Sequence, residues 1–274
     1  MRAWVRTASI MITTLAANLS HADPLIDRGE YLVKGIIGCG DCHTAHTKPP
    51  SPFLSGGFRQ SGGQAITPNI TPDPDTGIGR WTDEQIVFAI RNGKRPDGTT
   101  IGPPMPIQFY AGISDDDAKA IVAYLRTVPP VKNQVAKSEY KTKLPDSYGP
   151  TVVHVDPPSA DDPVKLGAYL AGPLGHCMEC HTPAGTDGKP DLNNKLGAGG
   201  REFPGPWGVV PSANITPTGL GHFSDAELKK VIATGVKPDG SKIIGPMEVT
   251  LYERLTDRDL SAIIAYLRSL PPKG

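Results

Sequence analysis

Over residues 114–128 and again over 256–270, the apolar positions fall three and four apart. Ala118, Ile121, Val122 and Leu125, then Leu260, Ile263, Ile264 and Leu267, follow the i, i+3, i+4, i+7 order of one buried helical stripe. These two helices are predicted to begin at Ser114 and Thr256 and to be stopped by Pro129 and Pro271. Upstream of each, Thr82-Asp83-Glu84-Gln85 and Ser224-Asp225-Ala226-Glu227 are capping-box patterns, and the helices they open end at Gly93 and Gly235. An earlier helix is predicted from about Asp27 and, much later, from Pro163. No convincing run of alternating strands appears, so the expected fold class is mainly α, with three helices and loops in each half of the chain.

The pattern occurs twice because the chain repeats itself. Residues 26–45 align without a gap on 164–183, placing Gly29 on Gly167 and Tyr31 on Tyr169. Asn69-Ile70-Thr71-Pro72 matches Asn214-Ile215-Thr216-Pro217, and from Thr76 a second ungapped match runs to Pro130, which falls on Pro272. Pro96-Asp97-Gly98, Met105 and Ala123-Tyr124-Leu125-Arg126 find their partners in Pro238-Asp239-Gly240, Met247 and Ala265-Tyr266-Leu267-Arg268. One module was duplicated. The expected modules are residues 23–130 and 163–274, joined by a linker over 131–162. The linker carries Pro145, Pro150, Pro157 and Pro158 and has little helical periodicity, which reads as a stiff segment packed along a surface.

Residues 1–22 read as a cleaved signal peptide. Arg2 and Arg6 precede a mildly apolar run from Ala8 to Leu19, and Ser20-His21-Ala22 places small residues at a peptidase site, with cleavage expected after Ala22. The run is too short, and too rich in Thr and Ser, to span a bilayer about 30 Å thick. A soluble, exported protein without a transmembrane anchor is therefore expected, periplasmic in a Gram-negative source. Lys plus Arg and Asp plus Glu number 28 each, and losing Arg2 and Arg6 leaves 26 against 28. That balance disfavours nucleic acid or an anionic membrane as the main partner.

The chemistry lies in Cys39-Gly40-Asp41-Cys42-His43 and Cys177-Met178-Glu179-Cys180-His181. Both spell C-x-x-C-H, the attachment signature of c-type haem. Two thiols two residues apart reach the two vinyl groups of one porphyrin, and the adjoining imidazole then lies under the iron. A zinc site or a redox dithiol also uses C-x-x-C. Here, however, all four cysteines fall in the two motifs and both motifs run straight into histidine. The expected cofactors are two covalently attached haems c, each with its own module wrapped around it: Cys39, Cys42, Cys177 and Cys180 tether them, and His43 and His181 ligate the irons.

The sixth ligand separates a carrier from an enzyme, since an iron with two protein ligands is closed and suited to electron transfer. Beyond Ala22 the methionines are Met105, Met178 and Met247. Met178 lies inside its own C-x-x-C and cannot reach the opposite face of the ring. Met105, within Pro103-Pro104-Met105-Pro106, and Met247, after Gly245-Pro246, occupy equivalent positions on stiff segments, and are the expected distal ligands. His46, His154, His176 and His222 form no matched pair and are expected to make surface or local hydrogen bonds. Trp81 and Phe223 are candidates for packing near the haem edge or in an ordinary core. Arg59 and Arg201 either pair with propionates or are solvated. The Asn-Ile-Thr-Pro segments match a glycosylation pattern but are better read as turns.

Together, the two C-x-x-C-H sites, Asn69-Ile70-Thr71-Pro72, Thr76-Gly77-Ile78-Gly79-Arg80-Trp81, Pro104-Met105-Pro106 and the closing Ala-Tyr-Leu-Arg helices resemble the bacterial dihaem c-type cytochromes, built of two class I cytochrome c modules. The likeness extends to the cytochrome c subunits of periplasmic alcohol, aldehyde and gluconate dehydrogenases, though those commonly hold three modules and often a C-terminal anchor. The resemblance implies an electron-transfer protein or subunit, not itself an enzyme, that takes electrons from a periplasmic dehydrogenase and passes them to a downstream cytochrome or terminal oxidase. The competing class is a dihaem redox enzyme of peroxidase or thiosulfate dehydrogenase type, which needs one iron that can open.

Overall fold

The computed structural model describes residues 23–59, 65–186 and 188–274. The expected signal peptide lies outside the described residues. The first module opens with α1 (Pro24–Lys34), earlier than Asp27, because Asp23 accepts from the Leu25 amide at 2.9 Å and Pro24 takes the first turn, where no amide donor is needed. The haem motif forms a short helix, α2 (Cys39–His43). Then come α3 (Asp83–Asn92), α4 (Ile107–Tyr110) and α5 (Asp115–Thr127). The capping box predicted at Thr82 is closed in both directions, Gln85 N to Thr82 Oγ1 and Thr82 N to Gln85 Oε1.

The second module repeats this order. α6 (Pro163–Tyr169) runs into a single π-turn at Leu170–Leu174 and is followed by α7 (Cys177–Cys180). An antiparallel hairpin of β1 (Glu202–Gly205) and β2 (Gly208–Pro211), in register Glu202 with Pro211, precedes α8 (Pro217–Leu220). α9 (Asp225–Thr234), α10 (Val249–Tyr252) and α11 (Asp257–Ser269) complete it. The hairpin was not expected. Pro204 interrupts its first strand and both strands are largely exposed, so no alternation of apolar and polar residues announces it.

Each module is built on a crossing of its first and last long helices, α1 on α5 and α6 on α11. The predicted stripe is the buried one: Ala118, Ile121, Val122 and Leu125, like Leu260, Ile263, Ile264 and Leu267, lie in the core. Burial of each larger aliphatic side chain contributes about 1.5–3 kcal/mol. The helices approach so closely that glycine is required at the crossing. A Cβ on Gly29 would stand 2.0 Å from the Ala120 carbonyl oxygen, and one on Gly167 would stand 1.9 Å from that of Ala262.

The modules meet through a reciprocal interface. Tyr31 of α1 donates its hydroxyl to Asp259 Oδ2 at 2.5 Å, and Tyr169 of α6 donates to Asp117 Oδ2 at 2.8 Å. The same two hydroxyls accept from the backbone amides of Thr256 (3.3 Å) and Ser114 (3.0 Å), the N-caps of α11 and α5. Burial, followed by the neighbouring carboxylate, raises both phenols above their ordinary value. A Cβ on Gly112 would meet Pro173 Cγ at 2.7 Å, and the equivalent pair is Gly35 with Arg254. Each contact is made twice with the modules exchanged, the hallmark of a self-complementary surface.

The segment between the modules lies over the first of them, held by side-chain hydrogen bonds. Asn133 donates to the Ser55 carbonyl, Tyr140 to that of Pro103 and Tyr148 to that of Ile101, while Asn92 pairs with Val152 in both directions. Near its end His154 sits between Asp115 and Asp156, at 2.6 and 3.0 Å. Hydrogen bonds from His154 and then from Arg91 hold the Asp115 carboxyl well below the usual carboxylate range. Among the described residues, no helix is long and apolar enough to cross a membrane.

Candidate functional site

α2 and α7 place the two thiols of each motif one turn apart, on one helical face. All four cysteines are free of disulfide. Burial pushes the Cys39 and Cys177 thiols up to about 12, the mark of an apolar slot. His43 donates Nδ1–H to the Pro68 carbonyl at 2.9 Å, and His181 does the same to that of Ala213 at 2.7 Å. This leaves Nε2 as the lone-pair nitrogen in each ring. Burial lowers both imidazoles below their ordinary value, toward the neutral form that binds a metal.

The main chain of each histidine is held by a glycine that the sequence expectations did not include, and the same glycine packs under the peptide whose carbonyl orients the ring. Gly56 and Gly199, with φ of 76° and 72°, donate to the His43 and His181 carbonyls at 2.7 and 2.8 Å. A Cβ on Gly56 would lie 2.5 Å from the Asn69 amide nitrogen, and one on Gly199 would lie 2.4 Å from that of Asn214. The paired glycines at equivalent places in the two modules were the available signal. Next in the chain, Asn69 and Asn214 are turn residues. Each side-chain oxygen accepts from the amide and hydroxyl of the threonine two residues on, at 2.7–2.9 Å. Asn69 is buried, which leaves no room for a glycan.

Met105 and Met247 are half-buried, each on an irregular segment that turns into the four-residue helices α4 and α10. Their carbonyls accept from Ile107 and Val249 at 2.9 Å. Five residues beyond each methionine stands a tyrosine, Tyr110 or Tyr252. Burial first, then the charges of the cysteines of its own module, raises each phenol well above its ordinary value. Each tyrosine thus stands within electrostatic reach of the haem motif of its own module. Met178 is packed in the core.

Among the described residues, the remaining histidines have local partners: Asp41 O for His46, Glu179 for His176, the Phe223 ring for His222, and Asp115 of α5 with Asp156 of the linker for His154. Arg201 donates to the Glu179 carbonyl at 2.7 Å and lies over the Phe203 ring. Arg59 forms a bridge with Ile66. Trp81 and Phe223 pack against the core, and their carbonyls accept from Arg126 and Arg268 of the Ala-Tyr-Leu-Arg helices. Among the described residues, no three His, Cys, Asp or Glu side chains gather as a cage for a metal ion. Paired thiols, an oriented imidazole and apolar walls are what a covalently held porphyrin needs, and the residues present fit it.

The cytochrome c family model matches residues 26–129 and 165–271. The alcohol dehydrogenase (quinone) cytochrome c subunit of Gluconobacter oxydans is 33% identical over 305 residues, covering 99% of this chain and 61% of that protein. The fructose dehydrogenase cytochrome subunit of Gluconobacter japonicus is 34% identical over 267 residues, covering 92% and 54%. A diheme cytochrome c-type protein of Cereibacter sphaeroides is 33% identical over 252 residues, covering 85% and 82%. The chain spans about six-tenths of the length of the dehydrogenase subunits it matches. With a doubled C-x-x-C-H framework folded as described, this chain belongs to the cytochrome c family and carries two covalently bound haems c.

Proposed function

We propose that this chain is exported and carries electrons from a dehydrogenase to a further cytochrome or terminal oxidase, with His43 and Met105 holding one iron and His181 and Met247 the other. The observation that carries the reading is the matched pair of sites. Each combines paired cysteines, a histidine fixed through Nδ1 and a methionine five residues before a buried tyrosine that feels the charge of those cysteines. Haem iron, when bound, supplies a one-electron couple, and thioether ligation raises its potential relative to bis-histidine ligation. The protein's part is to keep the geometry the same in both oxidation states. Pro103, Pro104 and Pro106 around Met105, and Pro246 before Met247, reduce the freedom of the ligand segments. His43 and His181 are kept from rotating by their carbonyl partners. The similarity to alcohol and fructose dehydrogenase cytochrome subunits supports a sugar or alcohol dehydrogenase as donor.

The test is the spectrum of the haem-loaded protein, with Met105→Ala and Met247→Ala beside it. Each substitution is expected to remove about half of the weak methionine-to-ferric-iron band, and each should let carbon monoxide bind one reduced haem that the parent protein keeps closed. Carbon monoxide binding to the parent protein would refute the carrier reading and point to catalysis at that haem. Reduction of the parent protein by a purified quinone-dependent alcohol dehydrogenase, or its failure, tests the donor separately.

A further inference from the structure

In each module the methionine segment leads through a four-residue helix to the N-cap of the last helix: Met105 through α4 to Ser114, and Met247 through α10 to Thr256. Neither short helix has a side-chain cap. Four residues are also far below the length at which a helix holds itself. Tertiary contacts must therefore fix these runs: α3 and α9 of the same module supply some, and at both ends others come from the other module. Near the start, the Phe109 ring lies 6.3 Å from that of His176, the residue before Cys177. Its counterpart Leu251 covers Gly38, the residue before Cys39, so closely that a Cβ there would stand 2.2 Å from Leu251 Cδ1. At the far end Ser114 and Asp117 bind the Tyr169 hydroxyl, and Thr256 and Asp259 bind that of Tyr31.

We propose that Tyr31 and Tyr169 are cross-module positioning residues: Tyr169 steadies the run that carries Met105, and Tyr31 steadies the run that carries Met247. Each haem is then closed partly by the module that does not contain it. Neither tyrosine touches the ligand segment of its own module through these bonds; each hydroxyl is satisfied by the opposite one. The proposal rests on the axial-ligand reading above.

The test uses the full, haem-loaded chain. In a Met247→Ala background the remaining methionine-to-ferric-iron band reports Met105 alone, and imidazole is titrated in until the band disappears. Adding Tyr169→Phe should lower the imidazole midpoint about tenfold, the scale of one lost hydrogen bond to a charged group. Adding Tyr31→Phe should leave it unchanged. In a Met105→Ala background the two tyrosines should exchange roles. Each change keeps the ring and removes one oxygen, so no cavity is opened. A midpoint that moves with the tyrosine of the same module, or with neither, overturns the proposal and leaves the ligands as assigned. A band that survives Met105→Ala and Met247→Ala at full strength overturns the ligand assignment and the proposal with it.

Discussion

Replacing Gly29 by alanine separates two effects of opposite sign. In the middle of a solvated helix the change would stabilise the chain by about 0.8–1 kcal/mol, because alanine loses less backbone freedom. In α1 the new methyl would stand 2.0 Å from the Ala120 carbonyl oxygen and 2.6 Å from Tyr124 Cβ, whereas ordinary contact begins at 3.4 Å. The nearer atom is backbone, so relief requires α1 and α5 to part by about 3.4 − 2.0 = 1.4 Å. Overpacking of this kind costs about 1–3 kcal/mol and occasionally more. Taking the upper end, the net loss is roughly 2 kcal/mol. Gly167→Ala should cost about the same, since its methyl would stand 1.9 Å from the Ala262 oxygen. Gly172→Ala, where a Cβ meets nothing within 4 Å, serves as the control and should be neutral or stabilising. Denaturant unfolding of the haem-loaded protein measures all three. A Gly29→Ala protein as stable as the parent would show that the crossing does not depend on glycine and would refute the packing argument.

Arg126→Leu should cost about 1–3 kcal/mol, because it leaves the Trp81 carbonyl and the Asp83 carboxylate without this donor and takes one of two donors from the Ile78 carbonyl. A fall in melting temperature of several degrees is the expected readout, and Arg268→Leu, which removes the same donor from Leu220, Phe223 and Asp225, should match it. Hydrogen bonds from His154 to Asp115 and Asp156 raise its pKa above the usual value. Its contribution is therefore fully present below the unfolded value of about 6.5 and is lost as pH rises through the higher folded value. His154→Asn should accordingly melt lower than the parent in mildly acidic buffer, with the gap closing in alkaline buffer; a gap of constant size across that range would refute the assignment.

Fold class and cofactor were legible because both depend on local spacing. The stripe from Ala118 to Leu125 has the helical period, and the capping boxes at Thr82 and Ser224 mark helix starts without reference to the rest of the chain. C-x-x-C-H encodes tether and ligand within five residues. Other features depend on contacts distant in sequence. Tyr31 is 228 residues from Asp259, and nothing near either residue reveals the pairing. The repeat did hold a clue, since Tyr31 and Tyr169 occupy equivalent places, as do Asp117 and Asp259. Equivalence alone does not say whether a matched residue faces its own module or the other. Gly56 was similarly hidden, because a glycine pair in a loop gives no sign of which backbone passes above it.

Duplication gave the two modules the same internal frame and left their surroundings free to diverge. Glycine at the helix crossing, tyrosine at the junction and arginine under the Trp81 or Phe223 loop are present in both. The differences lie around them. Asp117 is clasped by both Tyr169 and the bidentate Arg28, whereas the place of Arg28 in the second module is taken by Leu166, and among the described residues the Asp259 carboxylate accepts from Tyr31 alone. Arg91, buried against Asp115, is matched by Ala233. The linker lies across the first module, while in the second Ile244, three residues before Met247, is 62% exposed. The first module therefore holds its methionine segment from more sides. Burial and nearby charge tune a haem potential independently of the ligands themselves. One repeated set of donors, placed in two unlike environments, is thus a physical route to two unequal potentials within a single chain.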